Sequence, residues 1–152
     1  MSEPTLFLDD FSVGQRFVSG EHPIDEAQIK AFAAQFDPQP FHLDGEAAKD
    51  TLFRGLAASG WHTAAITMRL MVMGGIPVEG GLIGAGGEIS WPRPTRPGDV
   101  LHVESEVMSV APSKSKPQQG MLTVRSETRN QQGDILQVLV VKMVVPRRLP
   151  AH

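Results

Sequence analysis

The sequence predicts an α+β domain in which one long buried helix is wrapped by a curved antiparallel sheet. The stretch 61–73 is apolar nearly all round, which is typical of a helix enclosed in a core. From Gly80 onward, long segments alternate apolar and polar residues or are rich in β-branched residues, as strands are. The helical patterns lie in the front half of the chain and the strand patterns in the back half, which favours this class.

Length and composition indicate one ordinary globular domain. The 152 residues are most simply a single domain, residues 1–152 with a core over about 11–146. Apolar residues make up 41% of the chain and charged residues 20%. The formal net charge of −3 gives no basic signature for nucleic acid. The absence of cysteine excludes disulfides, thiolate metal sites and cysteine nucleophiles.

We expect a soluble, cytoplasmic protein that does not bind a membrane. Residues 1–10 are acidic and short of apolar residues, unlike a signal peptide. The apolar stretch 61–75 is too short for a membrane span and contains Arg69.

Three helices are expected. Asp25 suits the N-cap of a helix over 27–36, with Gln28 in the capping-box position. Asp44 can cap a second, short helix over 46–49. After a linker over 54–58, the long buried helix is expected to open at Ser59-Gly60 and to end before Gly74-Gly75.

At least four long antiparallel strands are expected after Gly80, with a further one joining from the front. The pattern places them at 82–91, 100–110, 121–130 and 135–145, and the front strand at 15–19. Arg96-Pro97-Gly98-Asp99 reads as a turn before the second of these, and residues 131–134 fit a hairpin turn.

The segment Asp37-Pro38-Gln39-Pro40-Phe41-His42 carries the clearest functional signal. It places a carboxylate and an imidazole five residues apart. The two prolines predict an extended, stiff segment. An acid/base pair on such a loop suits proton transfer to or from a bound water. From these residues alone, a turn-capping aspartate and a hydrogen-bonded histidine are the alternative.

In this order, the motifs resemble the MaoC-like dehydratases, relatives of the (R)-specific enoyl-CoA hydratases. The hydratase motif of that family is roughly Asp-x-Asn-Pro-x-His with an Asp two residues beyond. Asp37, Pro40, His42 and Asp44 match it. The small-Gly opening of the buried helix and the Arg-Pro-Gly-Asp turn fit as well. The resemblance covers about residues 11–145 and implies a single hotdog fold.

The resemblance implies hydration of a trans-2-enoyl thioester, or the reverse dehydration, with coenzyme A as the carrier of the substrate and no metal or other cofactor. Asp37 and His42 would hold and activate one water, and either group could pass the proton. The Gly60 N–H would receive the thioester carbonyl oxygen, because a helix N-terminus stabilises negative charge. Close helix packing is the alternative role for Gly60. The resemblance also implies a homodimer with sheets joined edge to edge, or a higher homo-oligomer.

Four further residues are candidates for substrate binding: Gln39, Ser59, His62 and Met68. Gln39 and Ser59 stand where the family usually has Asn and His. Met68 stands where some members have a serine facing the acyl tunnel, and with its neighbouring methionines it would make a flexible apolar lining. For His62, a packed or hydrogen-bonded core histidine is the alternative.

Two other functions stay open on this fold. A non-catalytic acyl-thioester-binding protein would keep the tunnel without competent water activation. A thioesterase would hydrolyse the thioester instead. The spacing of Asp37 and His42 favours the hydratase, because it suits water addition beside an oriented carbonyl. The acyl group and the physiological direction are left open.

Overall fold

The computed structural model describes residues 4–148, so residues 1–3 and 149–152 of the expected domain lie outside it. Its strands are β1 (Arg16–Val18), β2 (His22–Pro23), β3 (Gly84–Ser90), β4 (Val100–Pro112), β5 (Gln119–Arg129) and β6 (Ile135–Pro146). They form an antiparallel sheet in the order β1-β4-β5-β6-β3, and β2 pairs with β4 beside this path. All the strands expected from the sequence are present.

One face of the sheet is buried against the helices. Along β5, Leu122 and Val124 are fully buried, and each lies between half-buried neighbours. This is the period of two that alternation predicts. Val124 pairs with Val107 of β4 on one side and with Val141 of β6 on the other, so an apolar row crosses the three long strands.

The helices are α1 (Glu26–Phe36), α2 (Pro40–Leu43), α3 (Gly45–Ala48) and α4 (Gly60–Leu70), and α4 continues into a π-helical segment, Met71–Gly75. A single 3₁₀ turn, Leu8–Asp10, precedes β1. The central helix α4 contacts β4 and β6. Within residues 4–148, every helix is too short or too polar to cross a membrane.

The outer side of α4 faces solvent. Ile66 and Leu70 are buried against the sheet, whereas Trp61, Met68 and Val72 are 61%, 41% and 58% exposed. The prediction of a helix enclosed on all sides is therefore wrong for a single chain. Hydrophobicity around a helix does not tell which partner covers each side.

The start of α1 follows the prediction at Asp25 but not at Gln28. The Asp25 carboxylate accepts from the Gln28 N–H at 2.9 Å, as an N-cap does. The Gln28 side chain does not return to the N-cap. Its oxygen lies 2.8 Å from Nε2 of His22, and its nitrogen donates to the Pro23 carbonyl at 3.1 Å. The predicted capping box is wrong because Gln28 joins α1 to β2 instead.

The segment after α1 is extended only in part. Gln39 is extended, with φ −96° and ψ 148°, as the residue before a proline tends to be. Pro40 then begins the α2 turn, and His42 lies on that turn. The prediction of an extended chain through His42 is wrong, because proline suits the first position of a helix as well. The predicted cap at Asp44 is confirmed, since its carboxylate accepts from the Glu46 N–H at 2.9 Å.

The turn between β3 and β4 holds the chain that leads into α4. The Arg96 N–H donates to Asp99 Oδ2 at 2.8 Å and closes the predicted turn. The Arg96 guanidinium donates to the carbonyl oxygens of Gly55 and Leu56 at 3.0 and 3.2 Å, and also to that of Phe53. These bonds fix the backbone that approaches the candidate site.

Candidate active site

Asp37 and His42 lie side by side. Asp37 is the C-cap of α1, and the α2 turn carries His42 back toward it. Oδ2 of Asp37 lies 3.2 Å from Nε2 of His42. The two side chains are 16% and 4% exposed. The structure therefore brings together, away from bulk water, the two residues that the sequence singled out for proton transfer.

A backbone contact determines the tautomer of His42. Its Nδ1 lies 2.6 Å from the carbonyl oxygen of Ala57. A carbonyl oxygen only accepts, so Nδ1 carries a proton and Nε2 faces Asp37. A direct bond between Nε2 and Oδ2 then needs a second proton on one of them. Without that proton, a water that donates one hydrogen to each atom would satisfy both.

Residues close to Asp37 in the fold hydrogen-bond its carboxylate and lower its pKa. Gln39 Nε2 donates to Asp37 Oδ1 at 2.5 Å. Burial raises the pKa of the Asp37 carboxyl, but hydrogen bonds from Gln39 and Ser59, together with the charge of His42, outweigh burial and lower the pKa below its usual value. One predicted substrate-binding residue, Gln39, thus bonds the carboxylate directly, and a second, Ser59, helps to lower its pKa.

The N-terminus of α4 leaves one amide free beside this pair. Ser59 is the N-cap, and its Oγ accepts from the Trp61 N–H at 3.2 Å. The next two amides of α4 donate to the Ser59 carbonyl oxygen. Among residues 4–148, the Gly60 N–H has no hydrogen-bond partner. It is one of the unpaired donors that every helix start presents.

Packing also requires glycine at this position. A side-chain carbon built on Gly60 would lie 2.7 Å from Cε2 of Trp91. No substituent fits there unless the indole moves. The packing role and an oxyanion role for Gly60 are therefore compatible, because the indole restricts the side chain while the N–H stays unpaired among the described residues.

His42 and Gly60 line one pocket of about 320 Å³. Aromatic rings, prolines and two buried threonines complete its wall: Phe53, Ala58, Thr63, Trp91, Pro92, Arg93, Pro94 and Thr95. An apolar pocket with a few converging polar groups is the usual form of a small-molecule site. Among residues 4–148, no cluster of three His, Asp or Glu side chains is suited to hold a metal ion.

None of the four predicted substrate-binding residues lines this pocket. Gln39 and Ser59 lie behind it near Asp37, and His62 and Met68 lie elsewhere on α4. His62 is 8% exposed, and its ring stacks on Phe32 with centroids 4.5 Å apart. Its Nδ1 is buried and finds no hydrogen-bond partner in the described part of the chain. Burial, and to a smaller extent the charge of His22, lower the pKa of His62 to about 4. Met68 lies two turns along α4 from Gly60, about 12 Å along the helix axis.

Sequence reasoning missed several residues of the pocket wall. Trp91 and Phe53 supply its aromatic surface, and Thr63 and Thr95 join hydroxyls 2.8 Å apart beneath it. Trp91 stands out in the sequence as one of two tryptophans, next to a proline-rich segment. Phe53 comes from an irregular connection without any periodicity, so only the folded chain identifies it.

Residues 10–130 match the sequence model of a protein family described as "MaoC like domain". The chain belongs to this family. It is similar to the uncharacterized protein YdeM of Bacillus subtilis (strain 168), with 36% identity over 127 residues, which cover 82% of this chain and 87% of that protein. The family predicted from the sequence is confirmed.

Solved structures of MaoC-like proteins have the same fold. A MaoC-like dehydratase from Rhodospirillum rubrum is 59% identical, with a TM-score of 0.93 over 95% of this chain and 99% of that one. The unliganded R-hydratase PhaJ1 from Pseudomonas aeruginosa is 25% identical, with a TM-score of 0.74 over 97% and 96% of the two chains. The predicted hotdog fold is confirmed, and the chain falls in a family of hydratases and dehydratases.

Proposed function

We propose that this protein is a hydro-lyase that adds water to a trans-2-enoyl thioester, or removes it from a 3-hydroxyacyl thioester. The observation that carries the proposal is the pocket of His42 and Gly60. Its wall presents two groups to the same bound molecule: His42, which is paired with Asp37 behind it at 3.2 Å, and the free helix N-terminal amide of Gly60. Hydration of a conjugated thioester needs a base for the water and a donor for the carbonyl oxygen.

In the hydration direction, the Asp37–His42 pair would orient a water by accepting its two hydrogens, one at Oδ2 and one at Nε2. The water oxygen attacks the β-carbon, and the pair takes up its proton. The electrons of the double bond move to the thioester oxygen, which the Gly60 N–H stabilises as an enolate. The pair then returns one proton to the α-carbon, so atoms and charge balance.

The electrostatic part of this step depends on Gly60. An amide at a helix N-terminus combines an unpaired donor with the positive end of the helix dipole. In other enzymes, one such oxyanion donor contributes about 100- to 1000-fold to the rate. We take coenzyme A as the carrier, as the resemblance implies, and no metal or redox group enters the steps above. The cytoplasmic location stays a prediction from the sequence.

We also propose that a second copy of this chain covers the outer side of α4. Trp61, Met68 and Val72 follow helical spacing and form an exposed apolar surface. Trp61 contacts Trp91, which directly follows β3, and β3 is an edge strand that pairs only with β6 among the described strands. Exposed apolar surface and an unpaired edge are features that proteins usually cover. A symmetric dimer covers both in each copy.

The dimer is tested by sedimentation of the wild type and of Val72→Glu, with Lys142→Glu as an exposed-surface control. We expect the wild type to sediment as a dimer and the Val72 variant to shift toward monomer, because a charge would be buried in the interface. A wild type that stays monomeric at high concentration would contradict the proposal.

The activity is tested by following the ultraviolet absorbance of trans-2-butenoyl-CoA and longer enoyl thioesters. We expect rapid loss of absorbance with the wild type and almost none with Asp37→Asn. Asp44→Asn is the matched control, because asparagine also caps a helix and Asp44 only caps α3. Release of free thiol would indicate a thioesterase. No reaction with any thioester, despite binding, would indicate a binding protein.

A further inference from the structure

The indole of Trp91 lies on the first residue of α4. Cε2 and Cδ2 of the ring are 2.7 and 2.9 Å from the point where a side-chain carbon of Gly60 would be. Trp91 directly follows β3 and lines the same pocket as His42. The position of this ring therefore sets how much space is left beside the free Gly60 amide.

A fully buried glutamine holds the ring. The Trp91 Nε1–H donates to Oε1 of Gln137 at 3.0 Å, and Gln137 is 0% exposed on β6. An indole N–H only donates, so the amide oxygen of Gln137 must face the ring. Its amide nitrogen then points the other way and donates to Oγ1 of Thr67 at 2.9 Å. The side chain is fixed by a bond at each end.

The hydrogen bonds continue beyond Gln137 to the Thr67 hydroxyl, which is also fully paired. The Thr67 hydroxyl donates to the carbonyl oxygen of Thr63 at 2.8 Å. Its single proton is used there, so Thr128, whose Oγ1 lies 2.6 Å away, is the donor in the hydroxyl pair. Thr67 and Thr128 are both 0% exposed. A satisfied buried network of this kind has one arrangement and is rigid.

We propose that Trp91 restricts the acyl group that reaches Gly60 to short chains, and that Gln137 is the positioning residue that holds the ring in place. A buried amide costs free energy unless each of its groups is bonded, so an apolar side chain would be the simpler choice at this point of β6. The statement about the acyl group rests on the proposed function. The statement about the ring rests on geometry alone.

The specificity is tested with butenoyl and octenoyl thioesters, on the wild type, Trp91→Ala, Gln137→Met and the double variant. We expect Trp91→Ala to raise the octenoyl to butenoyl ratio of kcat/KM about tenfold or more, since one methylene alone changes discrimination by about tenfold. Gln137→Met alone should shift this ratio in the same direction. In the double variant the ratio should equal that of Trp91→Ala alone, because Gln137 acts through the ring. Gln118→Met, an exposed glutamine on the loop before β5, is the control and leaves the ratio unchanged.

The positioning is tested without substrate in a Trp61→Phe background, where Trp91 is the remaining tryptophan. We expect Gln137→Met to increase quenching of Trp91 fluorescence by acrylamide, with far-ultraviolet circular dichroism unchanged. Unchanged quenching would overturn the role of Gln137. If Gln137→Met does not fold, Trp91→Phe removes the same hydrogen bond by removing its donor. An unaltered octenoyl to butenoyl ratio in Trp91→Phe would then overturn the positioning role of Gln137.

The outcomes separate the two proposals. If no thioester reacts with the wild type, the proposed function and the specificity of Trp91 fall together, whereas the quenching result still decides the role of Gln137. If the wild type is active but Trp91→Ala keeps the wild-type ratio, only the inference about Trp91 is overturned.

Discussion

His42 donates from Nδ1 to the carbonyl oxygen of Ala57, fifteen residues further along the chain, at 2.6 Å. This single bond turns the other ring nitrogen toward Asp37 and assigns its role. In the proposed mechanism His42 therefore has two separable functions, since Nδ1 supports the fold and Nε2 would take part in proton transfer.

Two substitutions at His42 separate these functions. His42→Ala should lower kcat/KM by at least about 100-fold, as loss of general acid–base catalysis does. It should also lower the free energy of unfolding by about 1–3 kcal/mol, because the buried Ala57 carbonyl loses its donor. The amide nitrogen of asparagine can replace Nδ1, so His42→Asn should recover stability but not activity. Urea unfolding and the enoyl assay measure the two effects, and an active His42→Asn would contradict this assignment.

Removing the bond from Gln39 should move the pH dependence of activity. The Gln39 amide helps to lower the pKa of Asp37. In Gln39→Leu that pKa rises, so the carboxylate is protonated at a higher pH. The acid limb of kcat/KM for hydration should therefore shift to higher pH, as an apparent value for the coupled pair. Gln35→Leu, at an exposed position on α1, should leave the profile unchanged. An unshifted limb in Gln39→Leu would show that the contact is unimportant.

The contact between Gly60 and Trp91 should make Gly60→Ala costly. The added methyl would overlap the indole at 2.7 Å, and overpacking typically costs about 1–3 kcal/mol. Gly60→Ala combined with Trp91→Ala should regain much of this stability, because the space is then free. Thermal unfolding of the two single variants and the double variant measures the coupling. Strictly additive effects would mean that the two residues do not press on each other.

His62 should make the fold sensitive to acid. Its pKa is about 4 in the folded chain against an ordinary 6.5, so the unfolded chain takes up a proton first as the pH falls. Stability should be complete above about pH 6.5 and be lost progressively down to about pH 4, by at most about 3 kcal/mol.

His62→Phe checks this assignment, because phenylalanine keeps a ring against Phe32 but cannot be protonated. Its loss of stability between neutral pH and pH 4 should be smaller than that of the wild type, as measured by urea unfolding at a series of pH values. An identical loss in both proteins would place the acid sensitivity elsewhere.

Much of the fold could be predicted because its signals are local. Period-two alternation identifies β4 and β5, and Asp25 and Asp44 begin helices by capping amides two or three residues away. The pair Asp37 and His42 could be singled out for the same reason, since a short stiff segment carries both.

The rest of the site depends on contacts between distant parts of the chain. The acceptor for His42 is the backbone oxygen of Ala57, and every residue has such an oxygen, so no side-chain pattern reveals it. The Gln137 bond to Trp91 joins residues 46 positions apart. The capping box at Gln28 fails for a different reason, since a histidine only six residues earlier, His22 on β2, takes the side-chain oxygen instead.

The most direct test of the proposed hydratase activity follows the oxygen atom of water into the product. The wild type is incubated with butenoyl-CoA in water labelled with the heavy oxygen isotope, and the products are analysed by mass spectrometry, with His42→Asn in parallel. We predict the label in the hydroxyl group on the β-carbon of an intact thioester with the wild type, and an unreacted substrate with the variant. Label in a free carboxylic acid, or equal labelling by both proteins, would contradict the proposal that Asp37, His42 and Gly60 form a hydratase site.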